Sequence, residues 1–131
     1  MAAVSMDAVE DAPRIAGAGI AESAWRRSRW LAALPSISAQ DWLDGVARLV
    51  VVSPHPDDEA LGCGGLIATA RAIGLPVRVV SVTDGEACYP DAPAWPPAHL
   101  RAVRRQELER ALALLGVDAD AIDTLDIGDG R

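Results

Sequence analysis

The segment Pro54-His55-Pro56-Asp57-Asp58-Glu59 sets an imidazole between two prolines and follows it with three consecutive carboxylates. A residue that precedes proline is driven out of the helical region, so Ser53 and His55 are expected to be extended. Pro56 suits the first turn of a helix, where its missing N–H costs nothing. Asp57, Asp58 and Glu59 would then share that first turn, at the positive end of the helix dipole. Acidic residues are common at helix starts, so this accounts for part of the pattern. The histidine adds something more specific. His55 and Asp58 are spaced i,i+3, and a neutral imidazole with a carboxylate makes two ligands of a zinc site. Asp57 points elsewhere and could accept a proton from a water on the metal. A dication offsets three adjacent negative charges more fully than a helix dipole can. An ordinary His55–Asp58 hydrogen bond is the alternative.

These residues need elements to hold them. The β-branched run Leu49–Ser53 reads as a strand buried on both faces. The stretch 59–74 reads as a loop entering a helix that Gly74 stops, with Pro76 just beyond. Residues 76–85 give a second strand and its turn. Pro90, Pro93, Pro96 and Pro97 make the next segment an irregular loop. Leu100, Val103, Leu108, Ala111, Leu112 and Leu115 form a helical stripe that ends at Gly116. Residues 122–130 supply a short third strand and its exit. The order β-α-β-α-β predicts an α/β fold, a Rossmann-like parallel sheet with flanking helices that stops after the third strand. In such sheets ligands sit beyond the carboxyl ends of the strands. The turns around 53–59, 83–87 and 128–130 all fall at that rim. Before the sheet, residues 1–21 read as a flexible arm. Residues 22–45 read as a helical extension, with Trp25, Trp30, Leu31 and Leu34 on one amphipathic helix cut by Pro35. Its tryptophans are expected to pack against the domain formed by 46–131.

Composition narrows the function. Half of the 131 residues are apolar, enough for a core. The net charge of −7 argues against a nucleic-acid surface. Arg101, Arg104, Arg105 and Arg110 do cluster, but with Glu107 and Glu109 among them they read as a solvated helix face laced by local ion pairs. Cys63 and Cys88 form neither a CxxC pair nor a disulfide framework, and the chain reads as cytoplasmic. No apolar run reaches the roughly 18 to 20 residues that cross a bilayer.

The motifs PHPDDE, LGCGG, VTDGE and RRQELERALALLGV, in that order, resemble the PIG-L/LmbE-like family of zinc-dependent N-acetylglucosaminyl deacetylases. The resemblance runs from about Leu49 to Arg131. It implies hydrolysis of an acetyl group from an N-acetylated amino sugar, with a small-molecule conjugate as substrate. It also implies that His55 and Asp58 bind Zn²⁺, that Asp57 is the general base and that Arg104 contacts substrate. The family's third zinc ligand is a histidine from a later motif. The second histidine here, His99, opens the last helix and matches no family ligand. The chain therefore reads as the N-terminal portion of a longer enzyme, in which the "LVVVS" strand would present an open edge prone to self-association.

Other residues carry plainer expectations. Gly62, Gly64 and Gly65 are expected to allow close packing of helix on strand. Asp84 shapes the rim or touches substrate; Tyr89 and Trp95 stack on a sugar or pin the proline loop. One rival is a non-catalytic nucleotide-binding module, with Asp84 as the ribose carboxylate. It lacks G-x-G-x-x-G, because Ile67 stands where the third glycine belongs. A second rival is a domain that keeps the fold without catalysis.

Overall fold

The computed structural model describes residues 19–90 and 92–130. Eight principal elements succeed one another: α1 (Glu22–Arg26), α2 (Arg29–Ala32), α3 (Ala39–Leu43), β1 (Leu49–Ser53), α4 (Asp58–Ala72), β2 (Val77–Ser81), α5 (Pro97–Leu114) and β3 (Ile122–Thr124). The three strands form one parallel sheet in the order β1-β2-β3, with Val51 opposite Val79 and Val79 opposite Ile122. Both strand-to-strand connections are helical, as parallel pairing demands. The expected α/β, Rossmann-like architecture is what the chain adopts.

The strands alternate in burial. Leu49, Val51, Ser53, Val77, Val79 and Ser81 are buried, whereas Val50, Val52 and Arg78 are exposed. The buried set joins Ile67 and Ala70 of α4 and Leu108 and Leu112 of α5 in one core. "LVVVS" was expected to be buried on both faces, so this is a correction. Among the described residues no element covers the far face, and apolar runs cannot by themselves show which faces are covered. Glycines end the helices where the chain must reverse: Gly74 has φ +79° and Gly116 φ +81°. Arg71 reinforces the second turn by donating from Nε to the Gly116 carbonyl at 2.6 Å.

The region before β1 departs from the sequence reading. Instead of one amphipathic helix there are two short ones, because the Ser28 hydroxyl accepts from Leu31 N and starts a new helix there. Trp25, Trp30 and Trp42 are all more than half exposed rather than packed on the domain. In this segment it is Leu43 that enters the core. The expected arm over residues 1–21 lies largely outside the described residues.

The glycines of α4 also differ from expectation. A Cβ at Gly62 or Gly65 would meet nothing within 4 Å, and one at Gly64 would touch only Leu115 Cδ1, at 3.9 Å. These glycines are not required for helix-on-strand packing.

Candidate active site

β1 delivers the chain to the rim at Ser53, and hydrogen bonds to the exit of β2 fix the loop beyond it. Val82 N donates to the Ser53 carbonyl at 2.9 Å. Thr83 N and Oγ1 both donate to the Pro54 carbonyl, at 3.1 and 2.9 Å. The loop carrying His55 is thereby tied to the neighbouring strand.

Helix α4 begins one residue later than the sequence suggests. Asp58 and Glu59 form its first turn, whereas Asp57 is the N-cap residue with φ 131° and ψ −29°. A non-glycine residue at such φ is strained and persists only where its surroundings hold it. Two side chains do so. Glu59, 1% exposed, accepts from Asp57 N through Oε2 at 3.2 Å. Arg104 Nη2 donates both to the Pro56 carbonyl and to Asp57 Oδ2, the latter at 3.1 Å. Glu59 is itself seated by the Ser53 hydroxyl at 2.7 Å, and its Oε1 is buried without a partner among the described residues. Its role in shaping the motif was not anticipated, although its place six residues after the last strand residue is visible in the sequence.

His55 and Asp58 do meet: Nδ1 lies 3.4 Å from Asp58 Oδ2, with both side chains about half exposed. The other ring nitrogen, Nε2, faces Asp129 Oδ1 at 3.2 Å. Asp129 Oδ2 in turn accepts from Ala87 N at 3.1 Å. The sequence marked residues 128–130 only as a rim turn, and the reach of Asp129 to His55 spans 74 residues of chain. The ring is thus held between two carboxylates, Asp58 at Nδ1 and Asp129 at Nε2. That pairing of imidazole with an orienting carboxylate is common at metal sites. Zinc bonds of about 2.1 Å in a tetrahedron separate adjacent donors by roughly 3.3 Å, so the His55–Asp58 spacing fits two of its ligands. Among the described residues no group of three His, Cys, Asp or Glu side chains converges as a metal-binding set. His99 lies elsewhere, in the first turn of α5 with its ring 5.4 Å from that of Trp95.

The arginines of α5 do not form the locally paired surface expected of them. Arg105 clamps Asp84 with Nε and Nη2 at 2.7 and 2.8 Å and also reaches Asp126. Arg101 bridges Asp84 at 3.2 Å and Glu86 at 2.9 Å. Arg104 turns to Asp57 rather than to Glu107. Asp84 is 2% exposed with both oxygens engaged, so it anchors α5 to the rim and is closed to a substrate or a ribose. Burial by itself would push the Glu86 carboxyl up. Its hydrogen bonds from backbone N–H groups and from Arg101 outweigh that and hold it below the ordinary carboxylate range. Gly85, at φ +64°, is forced: a Cβ there would stand 2.8 Å from Arg104 Nε.

The family model for PIG-L, GlcNAc-PI de-N-acetylase, matches residues 50–131. A 1D-myo-inositol 2-acetamido-2-deoxy-alpha-D-glucopyranoside deacetylase of Nocardia farcinica (strain IFM 10152) is 42% identical over 85 residues, covering 63% of this chain and 26% of that protein. The solved N,N'-diacetylchitobiose deacetylase of Pyrococcus horikoshii superposes with TM-score 0.63 and 32% identity, over 71% of this chain and 34% of that one. A 4-carboxy-2-hydroxymuconate hydratase of Pseudomonas putida KT2440 superposes with TM-score 0.56 and 30% identity, over 66% of this chain and 36% of that one. The chain thus spans about a quarter to a third of the length of these relatives.

Proposed function

The chain belongs to the PIG-L family, and from that premise we propose that the protein containing residues 46–131 hydrolyses the acetamide of an N-acetylated amino-sugar conjugate. The observation that carries this reading is the open His55–Asp58 pair, 3.4 Å apart, beside a second carboxylate held in a strained conformation. A zinc ion held by His55 and Asp58 would supply Lewis-acid polarisation of the acetamide carbonyl and of the attacking water.

The side chains do the rest. Asp57 is 55% exposed and held through one oxygen by Arg104, which keeps the carboxylate aimed while leaving it open to solvent. It takes the proton from the water that adds to the carbonyl carbon, then returns it to nitrogen as the C–N bond breaks. The products are acetate and the free amine. Asp129 holds the His55 ring in one orientation. Arg104 Nη1, 3.9 Å from Cys88 Sγ, is the donor assigned to a substrate oxygen. The partner is a small amino-sugar conjugate, and a cytoplasmic location belongs to the same proposal. Among the described residues no helix is long and apolar enough to cross a membrane.

The hydratase of similar fold defines the rival, water addition to a carbon–carbon double bond. The test is Asp57→Asn in the full-length protein, assayed for amine release from an N-acetylglucosamine conjugate and, separately, for hydration of the unsaturated tricarboxylate 4-carboxy-2-hydroxymuconate. Zinc content should persist while amine release falls roughly 10²- to 10⁴-fold. Unchanged amine release would remove Asp57 as the base. Hydration without amine release would replace the deacetylase reading.

A further inference from the structure

Glu59 differs from the two acids before it. The Asp57 and Asp58 side chains are about half exposed, whereas Glu59 is 1% exposed. An acid in the first turn of a helix gains from the dipole while facing water, yet this one turns inward to the end of β1. There it meets Ser53, which is also 1% exposed. The Ser53 hydroxyl lies 2.6 Å from the His55 carbonyl and 2.7 Å from Glu59 Oε2. The same Oε2 accepts from Asp57 N at 3.2 Å, and Oε1 has no partner among the described residues. Burying a carboxylate costs stability unless its oxygens are hydrogen-bonded, and one of these is not. A leucine would fill the space without that desolvation. What leucine lacks is an acceptor for the Asp57 N–H.

We infer that Ser53 and Glu59 are positioning residues, a buried clamp that aims the base Asp57 through its backbone. This rests on the deacetylase reading and deepens it by naming what fixes the base relative to the His55–Asp58 pair. Ser53 holds the carbonyl of His55, Glu59 holds the N–H of Asp57, and the two hold each other. Both are shut away from solvent, so they act through the loop and not on the substrate. Arg104 restrains the other end of the same residue, at Asp57 Oδ2. The two holds together keep Asp57 at φ 131°, a conformation an aspartate does not keep unaided. A general base works only within hydrogen-bond reach of the proton it takes. A displacement of about 1 Å in such a group costs on the order of 10²-fold in rate.

The test uses the full-length protein, with Glu59→Leu, Glu59→Gln and Ser53→Ala made both alone and together with Asp57→Asn. Amine release from N,N'-diacetylchitobiose is measured per zinc-loaded molecule. Glu59→Leu should lower kcat roughly 10- to 10²-fold with KM little changed. Glu59→Gln keeps an acceptor for the Asp57 N–H and should retain most of the rate. Alongside Asp57→Asn, Glu59→Leu should cost less than about two-fold, because no base remains to be aimed. Ser53→Ala should follow the same pattern at smaller size, and it decides the matter if Glu59→Leu does not fold. Hydrogen exchange at the Asp57 amide supplies a readout free of turnover: it should quicken in Glu59→Leu and Ser53→Ala but not in Glu59→Gln. A protein that releases no amine yet shows this exchange pattern keeps the clamp and loses the deacetylase reading. Three results overturn the inference: unchanged exchange at Asp57, a Glu59→Leu loss that is as large alongside Asp57→Asn as without it, or a Glu59→Gln loss equal to that of Glu59→Leu.

Discussion

Replacing Gly85 by alanine tests whether the rim is organised around Arg104. At φ +64° an alanine is strained whatever its surroundings, at a cost of about 1–2 kcal/mol. Gly74 supplies the control, since it has φ +79° and a Cβ there would meet nothing within 4 Å. Gly74→Ala should therefore cost the strain alone. At Gly85 the new methyl would also stand 2.8 Å from Arg104 Nε and 3.2 Å from Cζ, so the guanidinium must shift. A shift that clears the methyl breaks the bonds to the Pro56 carbonyl and to Asp57. Hydrogen bonds to charged groups contribute about 1.5–3 kcal/mol, but Asp57 is more than half exposed, so solvent screening reduces the loss to roughly 1–2 kcal/mol. Gly85→Ala should then cost about 2–4 kcal/mol in all. The assay is urea unfolding monitored by circular dichroism, with Arg104→Ala as the second arm of a double-mutant cycle. In the Arg104→Ala background the cost of Gly85→Ala should fall to that of Gly74→Ala. Equal costs for the two glycine substitutions in the otherwise native chain would refute the packing argument.

Other substitutions probe separate contacts. Asp84→Asn keeps the shape but leaves Arg105 and Arg101 without their buried carboxylate; since Arg105 is about a third exposed, the cost should be near the low end of the buried-pair range, about 3 kcal/mol, in the same titration. His55→Ala or Asp58→Ala in the full-length protein should abolish zinc uptake, measured as bound metal after dialysis, whereas Asp57→Asn should keep it. The Glu86 carboxyl is held below its ordinary range, so it adds stability that is present above the unfolded-state pKa and lost as pH falls through the folded value. Glu86→Gln should therefore flatten the acid limb of a stability–pH profile; an unaltered limb would show that Glu86 contributes nothing there. β1 ends the described sheet with Val52 63% exposed, so the isolated chain should self-associate and Val52→Lys should reduce that association in sedimentation velocity.

The β-α-β-α-β order, the positive-φ stops at Gly74 and Gly116, and the pairing of His55 with Asp58 were all legible in the sequence. Each depends on residues within one turn or one strand, where periodicity, capping and i,i+3 spacing act directly. What was illegible depends on distant segments. The sequence places Arg101, Arg104 and Arg105 on a helix but not opposite Asp84, Glu86 and Asp57, which lie 15 to 47 residues away. Asp129 reaches His55 only because β3 returns beside β2 and brings its exit loop to the same rim. The positive φ of Asp57 is likewise tertiary, since the arginine that holds it arrives on α5. The short helices before β1 show the converse. Their apolar spacing promised a packed helix, but Ser28 breaks the run and their tryptophans remain exposed. Local pattern settles which element forms; which charges meet, and which apolar faces are covered, is settled by the crossovers that bring remote segments together.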